Sequence, residues 1–336
     1  MRNFLIGAGL SVLRATRVHR LAQPVTRGIG AVLMFHHVLP FAPATPGFAP
    51  NRLLEITPAF FEAVIAKVRA LGFEIVTLDE AVERVSRAAE GRRVKPFAAL
   101  TFDDGYRDNR DFALPILRKH SAPFTLFVTT GFADRTARLW WLELEEAVRR
   151  SAVTDKTRVF NQLYWKFRAM PEDEAMAGIA ALSVTHDVDP LSFARELCMD
   201  WAELAEMVQE PLCTIGAHTL THPRLAKFDG AKAHEEMELS RSIILEKLAV
   251  FPRHLAYPVG DPTSAGPREF ALARQLGYTS AVTTRPGMIF PQHAEHLTAL
   301  PRVSINGNWQ DIGFVEVLLS GAPFALWNRG RRVNAG

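Results

Sequence analysis

Short apolar runs alternate with helix-period segments along most of this chain, and that alternation limits the fold more than any other feature. Residues 31–35, 73–78, 96–102 and 123–129 read as strands. Between them, Thr57-Pro58 opens a helix, with Thr as N-cap and Pro at the first helical position. Phe61, Val64, Val68 and Leu71 recur on one face of it, and Gly72 ends it. Residues 81–89 and 112–119 are further helices. A second series follows, with strands at 213–217, 254–258, 279–283 and 301–305 and helices at 231–248, 268–276 and 312–319. About eight strands, nearly all joined by helices, imply a parallel sheet, open or closed into a barrel.

The alternation breaks between residues 135 and 210. Trp140, Trp141, Leu144, Val148, Tyr164, Trp165, Phe167, Trp201 and Leu204 fall in a stretch with few strand signals. It reads as a helical insertion after the fourth strand, so the chain divides into a basic segment (1–30) and an α/β unit (31–336) carrying that insertion. Trp140-Trp141 is core in the ordinary reading and a sugar-stacking platform if exposed.

Charge follows the same division. Residues 1–30 hold Arg2, Arg14, Arg17, Arg20 and Arg27 and no Asp, Glu or Lys, leaving 34 basic against 36 acidic residues in the rest. A mildly acidic body argues against nucleic acid as a partner, which calls for a basic stripe on the fold itself. No run approaches the roughly 18 apolar residues that span a bilayer. Residues 4–13 are apolar after Arg2, as in a signal peptide, but three arginines follow and no small-residue cleavage site closes the stretch. The segment is expected to dock on the body or, in the sharper reading, to lie on an anionic membrane surface. Cys198 and Cys213 are too few for a disulfide framework. The expectation is a cytoplasmic protein, associated with the inner membrane surface through residues 1–30 if the sharper reading holds.

In parallel α/β folds, functional residues gather at the C-terminal strand ends. Here those ends carry His36-His37, Asp103-Asp104-Gly105, His218 with His222 four residues on, and Val259-Gly260-Asp261. Each has an ordinary reading alone: Asp and Gly favour turns, and one His pair among 11 His is weak. Together they share a rim. Two adjacent carboxylates after a buried strand need a cation or a proton nearby. Two imidazoles and one carboxylate make a three-ligand site with an open position, the form of catalytic zinc sites.

Thr101-Phe102-Asp103-Asp104-Gly105 and His218-Thr219-Leu220-Thr221-His222 resemble the first two motifs of the polysaccharide deacetylases, the NodB-homology family or carbohydrate esterase family 4. Ala256-Tyr257-Pro258-Val259-Gly260-Asp261 and Phe35-His36-His37-Val38 resemble two further elements of one branch of it. The resemblance spans about residues 31–320 outside the insertion. It implies a distorted (β/α) barrel that removes N-acetyl groups from an N-acetylglucosamine-containing oligo- or polysaccharide. By the same resemblance, Asp103 is the general base, and Asp104, His218 and His222 hold a divalent metal: zinc first, with Co, Ni or Fe as alternatives. A backbone N–H near Val259 assists the oxyanion, and Tyr106, Tyr257 and Trp140 are candidate substrate contacts.

The sequence also departs from the family. Its third-motif Arg position is Ala256, so Arg302 is expected to orient the base instead. The late Leu-x-His motif that supplies a general acid is absent, and His36 is the first candidate to replace it, ahead of His293 and His296. Alternatives are an amidohydrolase of a non-carbohydrate C–N bond and a non-catalytic carbohydrate-binding protein on the same fold.

Overall fold

The computed structural model describes residues 2–40 and 47–335. Its strands are β1 (Gly30–Phe35), β2 (His37–Val38), β3 (Glu55–Ile56), β4 (Glu74–Val76), β5 (Phe97–Phe102), β6 (Phe124–Val128), β7 (Cys213–Ala217), β8 (His254–Ala256), β9 (Ser280–Pro286) and β10 (Leu300–Ser304). Seven of them close a ring in the order β1, β10, β9, β8, β7, β6, β5 and back to β1. Every pairing in it is parallel. β4 adds to β5 outside the ring, and β2 and β3 form a separate short ribbon that the sequence did not signal. The chain is thus a closed α/β barrel, not an open sheet.

Every residue of β1, β5 and β6 is buried, as continuous apolar runs in parallel strands require. Side chains alternate between two layers. Ala31, Leu33, Phe35, Ala98, Leu100 and Phe102 face the surrounding helices, where Phe35 meets Phe61 edge-on. Val32, Phe97, Ala99, Phe127, Ala256 and Val282 fill the barrel. Gly30 and Gly216 make room there, since a Cβ at either would collide with the ring of Phe97 or Phe127. The seam between β1 and β5 pairs Gly30 with Phe97 through to Phe35 with Phe102, so His36 emerges beside Asp103.

The expected strand at 73–78 shortens to β4, because the Thr77 hydroxyl accepts the Glu80 N–H and starts a helix at Leu78. Between β6 and β7 lie helices that include Trp140–Arg150, Lys156–Ala169, Glu172–Thr185, Ser192–Leu197 and Trp201–Val208, several around a core of their own. The basic segment forms helices Arg2–Thr16 and Val18–Thr26, which pack on Ile312–Leu319 and Ala322–Trp327. Arg14 pairs with Asp311 (2.5 Å), Arg20 with Glu316 (2.6 Å), and the Arg27 guanidinium sits 3.9 Å over the Phe73 ring. Among the described residues, no helix is long and apolar enough to cross a membrane.

Candidate active site

Asp103 extends β5 by one residue, its N–H donating to Phe35 O (3.1 Å). It keeps the inward parity of Phe97, Ala99 and Thr101 and so points into the barrel mouth. Asp104 then leaves the strand at φ +71°. Among the described residues, four of the ten non-glycine residues with positive φ lie here: Asp104, Thr219, His222 and Val259. Such conformations persist only where surrounding contacts enforce them. For the loop after β7 those contacts are visible. The Glu236 carboxylate accepts the N–H groups of Leu220 (3.0 Å) and Thr221 (2.9 Å) and the Thr221 hydroxyl (2.6 Å). Thr219 Oγ1 accepts the His222 N–H (3.1 Å), and the Thr129 hydroxyl donates to His218 O (2.9 Å). This tight turn, not a helix, lets His218 and His222 face one point.

That point is set by Asp104. Its Oδ1 lies 3.4 Å from His218 Nε2 and 3.3 Å from His222 Nε2. All three residues are buried, and the Oδ1 atom has no hydrogen-bond partner. His218 Nδ1–H donates to Ala256 O (2.7 Å), which leaves its Nε2 lone pair facing Asp104. A tetrahedral ion with bonds of ~2.0–2.1 Å holds its ligand atoms about 3.3 Å apart. The spacing, the orphaned oxygen and the N, N, O donor set fit a divalent cation, and His218 Nε2, His222 Nε2 and Asp104 Oδ1 are the atoms that would hold it. Burial alone would raise the Asp104 carboxyl, but the two imidazoles outweigh it and hold it well below the ordinary carboxylate range. Trp141 and Phe132 wall the His222 ring at 4.7 and 5.7 Å.

Asp103 is gripped by Arg302 through two parallel contacts of 2.7 Å each. The guanidinium is fixed in turn by Thr283 O (2.9 Å) and Thr101 Oγ1 (3.2 Å) and is almost fully buried. Burial pushes Asp103 up, yet Arg302 and then His218 prevail and hold it below its usual value, so it is ionised at neutral pH. His36 Nε2 lies 3.9 Å from Asp103 Oδ2. Burial pulls the His36 imidazole below its ordinary value against the opposing pull of Asp103 and Asp104, which leaves it neutral. Its backbone carbonyl accepts from Asn109 Nδ2 (2.7 Å), and His37 beside it bonds Asp108 at 2.6 Å.

These groups open onto a cavity of about 270 Å³. His36, Asp103, Asp104, His218 and His222 line its floor; Val259, Asp261, Thr284, Ser304 and Asn306 come from other strand ends. Asn51, Leu53 and Leu54 add a side, and Trp140, Trp141, Tyr164 and Arg168 of the insertion form a wall. The two tryptophans are therefore packed core on one side and cavity lining on the other, with Trp140 stacked on Tyr164 at 5.5 Å.

Four expectations need correction. Tyr106 is buried outside the cavity lining, stacked 3.6 Å from the His37 ring, because it turns beneath the Asp104-Gly105 loop. Tyr257 follows inward-facing Ala256 and so points out among the helices, where its hydroxyl donates to Thr298 O (2.8 Å). Neither touches the space a substrate would fill. His293 is buried in the segment Pro291–Ala299, where Nδ1 accepts the Phe290 N–H (3.0 Å), and His296 in the same segment does not line the cavity either. Sequence reasoning missed Arg168, whose guanidinium meets Asp261 at 2.6 Å and ties the insertion to the barrel. It also missed Tyr164 and Asn51. Asp261, closing the third motif, was the only signal pointing there.

The model of the polysaccharide deacetylase family matches residues 90–281, more than half of the chain. Among solved structures, the chain resembles the deacetylase PplD from Streptococcus pyogenes in complex with acetate, at 21% identity and a TM-score of 0.56 over 82% of this chain and 92% of that one. It resembles IcaB from Ammonifex degensii at 18% identity and a TM-score of 0.56, over 88% and 97% of the two chains. A de-N-acetylase from Aggregatibacter actinomycetemcomitans is similar at 14% identity and a TM-score of 0.56, over 86% and 99%. At these identities the likeness is one of fold. No curated protein matches the chain.

Proposed function

The chain belongs to the polysaccharide deacetylase family, and from that membership we propose that it is a divalent-metal-dependent hydrolase acting on an N-acetylglucosamine-containing oligo- or polysaccharide. One observation carries the reading: an ionised, arginine-clamped carboxylate stands next to a buried Asp-His-His triad whose carboxylate oxygen lacks a partner. A cation held by Asp104, His218 and His222, zinc being the first choice and Co, Ni or Fe the alternatives, would polarise the acetamide carbonyl and make water more acidic. Asp103 takes the proton from the attacking water, and Arg302 keeps both its oxygens in place. The Val259 N–H is the candidate donor to the oxyanion. His36 relays the proton from Asp103 to the leaving amine, a role that its neutral state and 3.9 Å separation support. Trp140 and Tyr164, which line the cavity, would bound one side of a sugar ring.

The test is mass spectrometry of defined N-acetylated amino-sugar oligomers incubated with the protein, with chelator and with added metal. Acetyl loss that needs metal is the expected result. Turnover of a small amide with no acetyl loss from any chitooligosaccharide would make the chain an amidohydrolase of another C–N bond. Sugar binding with no turnover of either would make it a non-catalytic binder.

A further inference from the structure

The catalytic cavity uses neither end of the chain, yet the two ends meet. Helix Val18–Thr26 lies beside helix Ala322–Trp327. Val18, Leu21 and Val25 recur on one face of the first helix, and Leu326 and Trp327 end the second; all are exposed, Leu21 by 82% and Leu326 by 71%. The opposite face of the first helix is committed to the body: His19 is buried, and the Thr26 hydroxyl donates to Ser320 O (2.7 Å). The apolar stripe is thus the outward face of a helix held in place. Clustered exposed apolar side chains of this kind mark a contact surface.

The setting of the stripe narrows the partner. A cleft of about 250 Å³ beside it is lined by Val25, Phe324, Ala325, Asn328, Arg331 and Arg332 among others. The tail is pinned along the body, with Asn334 O accepting from Arg285 (3.0 Å) and the Arg332 guanidinium 5.2 Å from the Phe290 ring. Residues 1–30 and 322–336 contain no Asp or Glu. Arg14 and Arg20 are neutralised by Asp311 and Glu316, whereas Arg17, Arg329, Arg331 and Arg332 have no acidic partner among the described residues. A second copy of this face would bring arginines against arginines. Nucleic acid would gain nothing from the apolar stripe.

We propose that this composite face, built from both ends of the chain, docks the protein on a bilayer surface bearing anionic lipids. The apolar side chains enter the headgroup boundary while the arginines meet lipid phosphates. The contact is interfacial, since no described helix can span a bilayer.

The full-length protein is to be sedimented with neutral phosphatidylcholine vesicles and with vesicles that also contain phosphatidylglycerol, at low salt. The expected result is partitioning at least tenfold stronger on the anionic vesicles, reversed by high salt. Leu21→Asp with Leu326→Asp should weaken it at least tenfold. Arg331→Ala and Arg332→Ala should each weaken it about fivefold, the size of one arginine near an anionic surface. Thermal unfolding of each variant shows that the fold is retained. Equal partitioning on the two vesicle types, or wild-type binding by a variant that remains folded, overturns the proposal. So does a dimer in sedimentation equilibrium that the Leu21→Asp, Leu326→Asp variant disperses, which would assign the face to a second copy of the chain.

Discussion

Asp103 sits under opposing influences: burial favours its protonated form, and the Arg302 fork favours the carboxylate and wins. Because its folded value is depressed, the stability it contributes is present above the unfolded carboxylate value of about 3.9 and is lost as pH falls through the folded one. Replacing Arg302 with Ala leaves burial unopposed by its main counterweight. Asp103 then protonates at higher pH, so, with Asp103 as the proposed base, the acid limb of the kcat/KM profile should move upward in pH. Stability should fall by about 3–5 kcal/mol, the range for a buried charge left without its partner. A pH–rate profile and a denaturant titration check both, and an unmoved acid limb would show that Arg302 does not govern this carboxylate. Arg302→Lys keeps the charge but not the fork and should fall between the two. Asp103→Asn keeps the shape and removes the proposed base. It should lower kcat about 10²–10⁴-fold while bound metal, measured by elemental analysis, stays close to wild type. His218→Ala should lose the metal as well as the activity.

At the scale of elements, the insertion and the segment Pro291–Ala299 behave differently from what position in the sequence suggests. Asp103 and His36 were legible because functional side chains gather at the C-terminal strand ends of a parallel α/β fold, and Arg302 because the third-motif Arg position is Ala256. The insertion has no such rule. Which of its turns would reach the cavity depends on how its helices stack, so Arg168 and Tyr164 could not be singled out, and Trp140 could be named only as core or, if exposed, as a sugar platform. Tyr106 and Tyr257 were misplaced for a related reason: adjacency to a motif in sequence does not say which side of a turn a ring takes. Arg168 and Tyr164 line the cavity, and Arg168 bonds Tyr164 and Asp261 and not the Asp103, Asp104, His218 and His222 cluster, so Tyr164→Ala and Arg168→Ala should raise KM about 5–30-fold, as loss of one contact of ~1–2 kcal/mol does, with kcat little changed. A fall in kcat at constant KM would place these residues in the chemistry instead. His293 offers a stability test in its segment. Burial, the larger influence, pushes its imidazole down to about 4. Between that value and about 6.5 the unfolded chain binds a proton that the folded chain refuses, so stability falls on acidification through this window, by up to roughly 3 kcal/mol. His293→Gln, which has no such proton to refuse, should flatten the loss between pH 6.5 and 4.

On the scale of the whole molecule, the alternating pattern carried the barrel, since about eight strands with helical crossovers admit few architectures. Closure itself came only with the family resemblance, which implied the barrel, since the pattern alone left the sheet open or closed. It depends on the β1–β5 seam, a pairing between strands more than 60 residues apart that no local pattern encodes. The basic segment was legible as a charge asymmetry, but its docking depends on acidic partners nearly 300 residues away, such as Asp311 and Glu316. That docking makes removal of residues 1–25 a test of how the arm and the barrel are coupled. The truncated protein loses buried Leu10 and His19, the packing of Gly7 against Trp309, and the Arg14 and Arg20 ion pairs. Burial of one Leu is worth about 2 kcal/mol, and each exposed ion pair about 0–1 kcal/mol. The sum predicts a loss of about 2–4 kcal/mol, or a Tm lower by roughly 3–6 °C for a chain of this size. None of these residues lines the cavity, so kcat/KM on a soluble oligomer should stay within about twofold of wild type. Calorimetry and kinetics on the same preparation separate the two quantities. An unchanged Tm would show that the arm is not packed on the body as described, and a collapse of kcat/KM with an intact fold would tie the arm to the chemistry.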